Sequence, residues 1–179
     1  MTVSLDLSSK ADEALIAKFF RASQGQWRSE RRYYTLPNGD AKEMVSLIEI
    51  RFLEAGCAEL RELARLHGLD DETAMSCGAA VSWDSENSVS GRTESKGSTL
   101  FGVIGSTLYR DRGFATTKPI TASFYFNNPE TLCLKTEYNG SVFEEELKLI
   151  GDKYRTRQSI ISRMGEQQMI GQYLEKRIA

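Results

Sequence analysis

From residue 119 to the C-terminus, apolar and polar residues alternate in short runs, each cut off by turn-forming residues. Side chains in extended backbone point to opposite faces in turn, so runs 119–127, 131–138, 142–150, 154–163 and 167–177 read as strands. Asn127-Asn128-Pro129, Asn139-Gly140, Gly151-Asp152 and Gly165 separate them. Asn139-Gly140 is the strongest of these, because a type I′ hairpin turn needs positive φ at both central positions. Earlier runs at 27–36, 44–53, 76–84, 97–105 and 107–117 bring the total to about ten, although 44–53 also fits a helix. Two segments follow helical spacing instead. Residues 11–24 place Leu15, Ile16, Phe19 and Phe20 on one face behind Ser9 as a cap, and 57–67 does the same with Leu60, Leu63 and Ala64 before Gly68. The polar, Ser-rich stretch 84–96 predicts a mobile loop. No β-α alternation is present. The pattern therefore predicts one all-β domain over 1–179, an up-and-down antiparallel barrel with an N-terminal helix and one further short helix. Closure of such a barrel removes exposed strand edges.

Composition narrows the function more by exclusion than by suggestion. The chain has 179 residues, 40% of them hydrophobic, which is enough to fill a core. A formal charge of -2 gives no nucleic-acid footprint. No apolar run approaches the roughly 18 residues of a membrane span. Asp6, Lys10 and Asp12 stand where a secretory leader would be apolar, so a cytoplasmic location is expected. Cys57, Cys77 and Cys133 match neither a zinc spacing nor a CxxC pair; they read as buried free thiols, with no metal site. His67, the only histidine, sits beside Gly68 and reads as a helix-terminus residue rather than a catalyst.

The candidate chemistry lies on strand faces that a barrel turns inward. In Tyr154-Arg155-Thr156-Arg157-Gln158-Ser159, the side chains of Arg155, Arg157 and Ser159 share one face. Two guanidinium forks at that spacing suit a ligand with two carboxylates, though a solvated strand face would show the same pattern. Run 142–150 puts Glu145 among Phe143, Leu147 and Leu149. That is a carboxylate in apolar company, or else, with Glu144 and Glu146, part of an edge-strand charge cluster. Trp83 shares its face with Cys77, Ala79 and Val81, small neighbours that leave room for a flat conjugated ligand if the tryptophan is not simply core.

Taken together, these residues resemble the CpcS/CpeS family of phycobiliprotein lyases. The similarity is carried by Phe19-Phe20-Arg21-Ala22-Ser23-Gln24-Gly25-Gln26-Trp27, Ser29-Glu30-Arg31, Trp83 and Leu108-Tyr109-Arg110-Asp111-Arg112-Gly113-Phe114. Thr136-Glu137-Tyr138, the Glu145 strand and Arg155-Thr156-Arg157 complete it. The resemblance implies a ten-stranded lipocalin-like barrel closed at one end by a helix. It also implies attachment of a linear tetrapyrrole, with phycocyanobilin or a related bilin as substrate, to a cysteine of an apo-phycobiliprotein subunit through a thioether bond. No permanently bound cofactor is implied, and the chain could pair with itself or with a related lyase. Bilin contact falls on Trp83, Glu145, Arg155, Arg157 and Ser159, with Trp27 counted beside them, and a functional role falls on Arg31. Many members carry histidines just after the position of Arg31; this chain has Arg32-Tyr33-Tyr34, so Tyr34 is the candidate replacement. Two rival readings remain at this point: a bilin or lipid carrier without transfer, and a filled barrel with a structural role.

Overall fold

The computed structural model describes residues 2–87, 93–113 and 116–179. Its ten strands close into one antiparallel barrel: β1 (Gly25–Thr35), β2 (Asp40–Glu54), β3 (Cys77–Asn87), β4 (Thr93–Ile104), β5 (Thr107–Arg110), β6 (Ile120–Asn128), β7 (Thr131–Tyr138), β8 (Ser141–Ile150), β9 (Tyr154–Arg163) and β10 (Glu166–Arg177). Each strand pairs with its sequence neighbours, and β1 pairs with β10 to close the ring. This is the architecture the alternation predicts. The segment 44–53 is strand, part of β2.

Helix α1 (Thr2–Ser23) plugs one end of the barrel. Ile16, Phe19 and Phe20, at helical spacing, are buried against Trp27, Ile48 and Ile50. Burying such a side chain contributes about 1.5–3 kcal/mol, so this short apolar stripe is enough to hold the helix in place. Its C-terminal carbonyls, which have no helical partners, are taken by Arg177 on β10. The guanidinium donates to Ala22 O at 2.5 Å and to Gln24 O, and lies 4.3 Å from the centre of the Trp27 ring. Trp27 Nε1 donates to Ser23 O at 2.8 Å. Gly25, at φ 132°, turns the chain into β1 where any side chain would strike Ala179 O at 2.6 Å. The helix begins well before residue 11, so Ser9 lies inside it and is not a cap.

Helix α2 (Ala58–Leu66) packs on the outside of β3 and β4 through Leu60, Leu63 and Ala64, forming a second core with Leu53 and Met75. Gly78 lets it come close: a Cβ there would lie 2.1 Å from Phe101 O and 2.6 Å from Leu60 Cδ2. A backbone carbonyl cannot swing away as a side chain can. Gly78→Ala is therefore expected to destabilise the protein by about 1–3 kcal/mol, read as a lower urea midpoint; a wild-type midpoint would show that the sheet flexes enough to admit a methyl group. His67 occupies the C-cap position, and its Nε2 lies 2.8 Å from Arg110 O, tying α2 to β5.

Two sequence expectations need correction. The run 107–117 is strand only to Arg110, because the Asp111 side chain replaces the ladder. Its carboxylate accepts from the Thr99 hydroxyl at 2.6 Å and from Leu100 N–H at 3.0 Å. The loop expected over 84–96 is narrower, since β3 continues to Asn87 and β4 begins at Thr93. Polar composition there hides inward positions: Ser85 is buried, with its hydroxyl 2.6 Å from that of Ser46. Residues 88–92 lie outside the described part of that stretch, as Phe114 does for the 107–117 run.

Candidate functional site: an arginine-rich barrel cavity

A cavity of about 780 Å³ occupies the barrel above α1, within the size range of small-molecule sites. Its floor is apolar, made by Phe19, Phe20, Ile48 and Ile50. Its upper walls carry Arg31, Arg110, Arg112, Arg155 and Arg157, five arginines against one lining carboxylate, Glu145, among the described residues. An interior with that surplus of positive charge suits an anionic ligand with a large apolar body.

Two of these arginines arrive already paired. Register sets Arg155 opposite Glu175 across β9 and β10, and both side chains point inward. Nε and Nη2 of Arg155 each lie 2.7 Å from Glu175 Oε1, with side-chain exposures of 4% and 0%. Burial disfavours the charge on Glu175, yet Arg155 and Arg157 outweigh it and hold the carboxyl below its ordinary pKa. Arg157 donates from Nε at 3.0 Å and Nη2 at 2.5 Å to Glu145 Oε2. Burial opposes the Arg157 charge, but Glu145 and neighbouring groups outweigh it, so its pKa is raised. Glu145 is thus not a solitary carboxylate among apolar residues. Its partner stands two strand positions from the residue opposite it, which alternation along β8 alone cannot reveal.

Tyr173 on β10 extends this wall. Its ring lies between Arg31, with Cζ 5.0 Å away, and Arg157, at 5.4 Å; its hydroxyl is 3.2 Å from Ser159 Oγ. Burial pushes the phenol up to about 12, against the opposing pull of Arg157, so it remains a neutral hydrogen-bonding group at ordinary pH. Gly171 makes room for this contact, since a Cβ there would come within 2.6 Å of the Tyr173 hydroxyl. Arg31 Nε donates to Ser29 Oγ at 3.2 Å.

The structure thus gathers Arg31, Trp83, Glu145, Arg155 and Arg157 around one cavity. Ser159 shares the inward face of β9 but bonds Tyr173 and does not line the cavity. Trp27 is fully buried in the core beneath Arg155 and Arg177. Tyr34 is turned to the outer face beside Arg32 and Glu43; its neighbour Tyr33 is the inward one, edge-on to Tyr173 at 5.6 Å. Strand parity decides this, because Arg31 and Tyr34 are an odd number of residues apart. Strand patterning alone does not single out Arg110, Arg112, Tyr173 or Glu175 as site residues. Alternation within Tyr173-Leu174-Glu175-Lys176-Arg177 marks Tyr173 and Glu175 as sharing one face, and both are buried. Among the described residues, no cluster of three His, Cys, Asp or Glu side chains is placed to hold a metal ion, and no cysteine lines the cavity.

The model of the CpeS-like protein family matches residues 15–178. The chain belongs to this family. A CpeS-like relative from Nostoc sp., provisionally named phycocyanobilin lyase CpcS 2, is 65% identical over 167 residues, covering 93% of each chain. Another from Picosynechococcus sp., provisionally named chromophore lyase CpcV, is 49% identical over 162 residues, covering 89% of this chain and 80% of that one. The S-type phycobiliprotein lyase CpeS of Guillardia theta has the same fold, with a TM-score of 0.77 at 21% identity over 96% of this chain and 97% of the other.

Proposed function

We propose that this CpeS-like protein is a bilin lyase. It holds phycocyanobilin or a related linear tetrapyrrole in the barrel and presents it for thioether attachment to a cysteine of an apo-phycobiliprotein subunit. The observation that carries the reading is the cavity itself: an apolar floor, an indole wall and five arginines, in a chain of this family. A linear tetrapyrrole joins a conjugated apolar body to two propionates, and both halves find a matching wall. A fatty acid brings one carboxylate to this arginine-rich wall where a bilin brings two, which disfavours the lipid-carrier reading.

In this reading the attacking nucleophile comes from the client. Its thiolate forms a carbon–sulfur bond at the ethylidene carbon of the bilin, and the conjugated system takes up a proton. The lyase supplies position and a proton-handling environment: Glu145, a cavity carboxylate with one oxygen fixed by Arg157, is the group assigned to hydrogen-bond the pyrrole nitrogens. Preorganised geometry of this kind contributes on the order of several kcal/mol to such a step. Its own thiols do not take part. Cys77, the inward one, is buried below the cavity, and burial pushes its thiol up to about 11, leaving it protonated and inert. No described helix is long and apolar enough to cross a membrane.

The test mixes the protein with phycocyanobilin and an apo-subunit, alongside Cys57→Ala, Cys77→Ala and Cys133→Ala variants. A shifted visible band on mixing, then a zinc-fluorescent adduct on the denatured subunit with all four proteins, is the expected result. Binding without adduct would make the chain a carrier. Loss of transfer in a folded cysteine variant would point to a covalent intermediate on the lyase.

A further inference from the structure

Arg155 and Arg157 reach the cavity with carboxylates already bound, so an anionic ligand must compete for them. Arg112 is placed differently. Its guanidinium lies 5.1 Å from the centre of the Trp83 ring, and its Nη2 donates to the Ser98 carbonyl. Both Arg112 and Trp83 line the cavity. Among the described residues no carboxylate stands at ion-pair distance from Arg112. The adjacent Asp111 is turned away, its carboxylate held by Thr99 and Leu100.

The surrounding backbone presents this guanidinium from a fixed position. Asp111 is pinned to β4, and Gly113 N–H bonds Thr116 O at 2.9 Å one step later. Gly97 clears the space for the stack: a Cβ there would lie 2.8 Å from Arg112 Nη2 and 2.9 Å from Trp83 Cζ2. Stacking over an indole fixes the plane of a guanidinium while leaving its other N–H groups available as donors. A planar fork so held matches a carboxylate in a way that a mobile lysine does not.

We propose that Arg112, braced on the Trp83 indole, is a carboxylate subsite of the cavity: its guanidinium takes an ionised carboxylate carried by the conjugated ligand. The assignment rests on the bilin reading above and deepens it, by making Arg112 a specificity residue for the acid form of the ligand.

The experiment compares phycocyanobilin as the free diacid with its dimethyl ester, by absorbance titration of wild type and Arg112→Gln; thermal melts establish that the variant is folded. Wild type should bind the diacid more tightly than the ester. Arg112→Gln should lose roughly tenfold in diacid affinity, the lower end for one charge-assisted hydrogen bond, while binding the ester as wild type does. Equal weakening toward both ligands would make Arg112 a merely structural support, and no weakening toward either would make it a bystander; each overturns the subsite while leaving the bilin reading intact. Failure of wild type to bind either form would remove the bilin reading and the subsite with it. A folded variant that loses its preference for the diacid and keeps its affinity for the ester is the supporting result.

Discussion

Glu175→Gln is expected to be among the most destabilising single changes in the barrel, costing about 3–5 kcal/mol in urea unfolding, because it leaves a buried guanidinium without its counter-charge. Arg155 is only 4% exposed, so solvent offsets little of this cost. Exchanging both members for apolar residues, as in Arg155→Met with Glu175→Leu, should recover much of the loss, since burying the pair is itself expensive. Acid titration gives an independent check. The folded state holds the Glu175 carboxyl below its ordinary value of 4.5, so its stabilising contribution is fully present above that pH. It is lost as pH falls below 4.5 and through the folded value, where the unfolded chain binds the additional proton. The Gln variant should show a flatter pH dependence of stability on that acid side. Wild-type stability in Glu175→Gln would mean that Arg155 finds another partner.

The second large effect concerns transfer. Glu145→Gln keeps the shape of the side chain and removes its charge, releasing Arg157 from its ion pair. Bilin should bind at least as tightly, because another guanidinium becomes available to a propionate. Attachment to the apo-subunit in a single turnover should nevertheless slow by roughly a hundredfold, the lower end for removing a general acid or base. Such a split between binding and rate would assign Glu145 to the chemistry. If the variant attaches bilin at the wild-type rate and yields the wild-type product, Glu145 serves only to hold Arg157.

How far the sequence discloses this site depends on whether each feature is local. Inward placement of Glu145, Arg155, Arg157 and Trp83 follows from parity along single strands, and those residues do line the cavity. The partners of the charged ones come from register between strands, which no single strand encodes. Glu175 looks like part of a charged surface run between Leu174 and Lys176, yet it is fully buried, while Leu174 is 49% exposed. Tyr34 and Tyr33 differ by one position, and that one position separates solvent from the barrel interior. The β5 strand is shorter than its sequence pattern because the Asp111 side chain, rather than any turn residue, ends its ladder.

The clasp between Arg177 and the carbonyls of Ala22 and Gln24 joins residues up to 155 positions apart. Loops that long must be closed before their contacts give anything back, which makes folding slow. The plug can seat early, because its apolar stripe meets β1 and β2 residues, but the β1–β10 seam joins the two ends of the sheet and closes only when both are in place. The chamber is therefore a property of the closed ring: Arg31 on β1 and Arg155 and Arg157 on β9 face one another only across that seam.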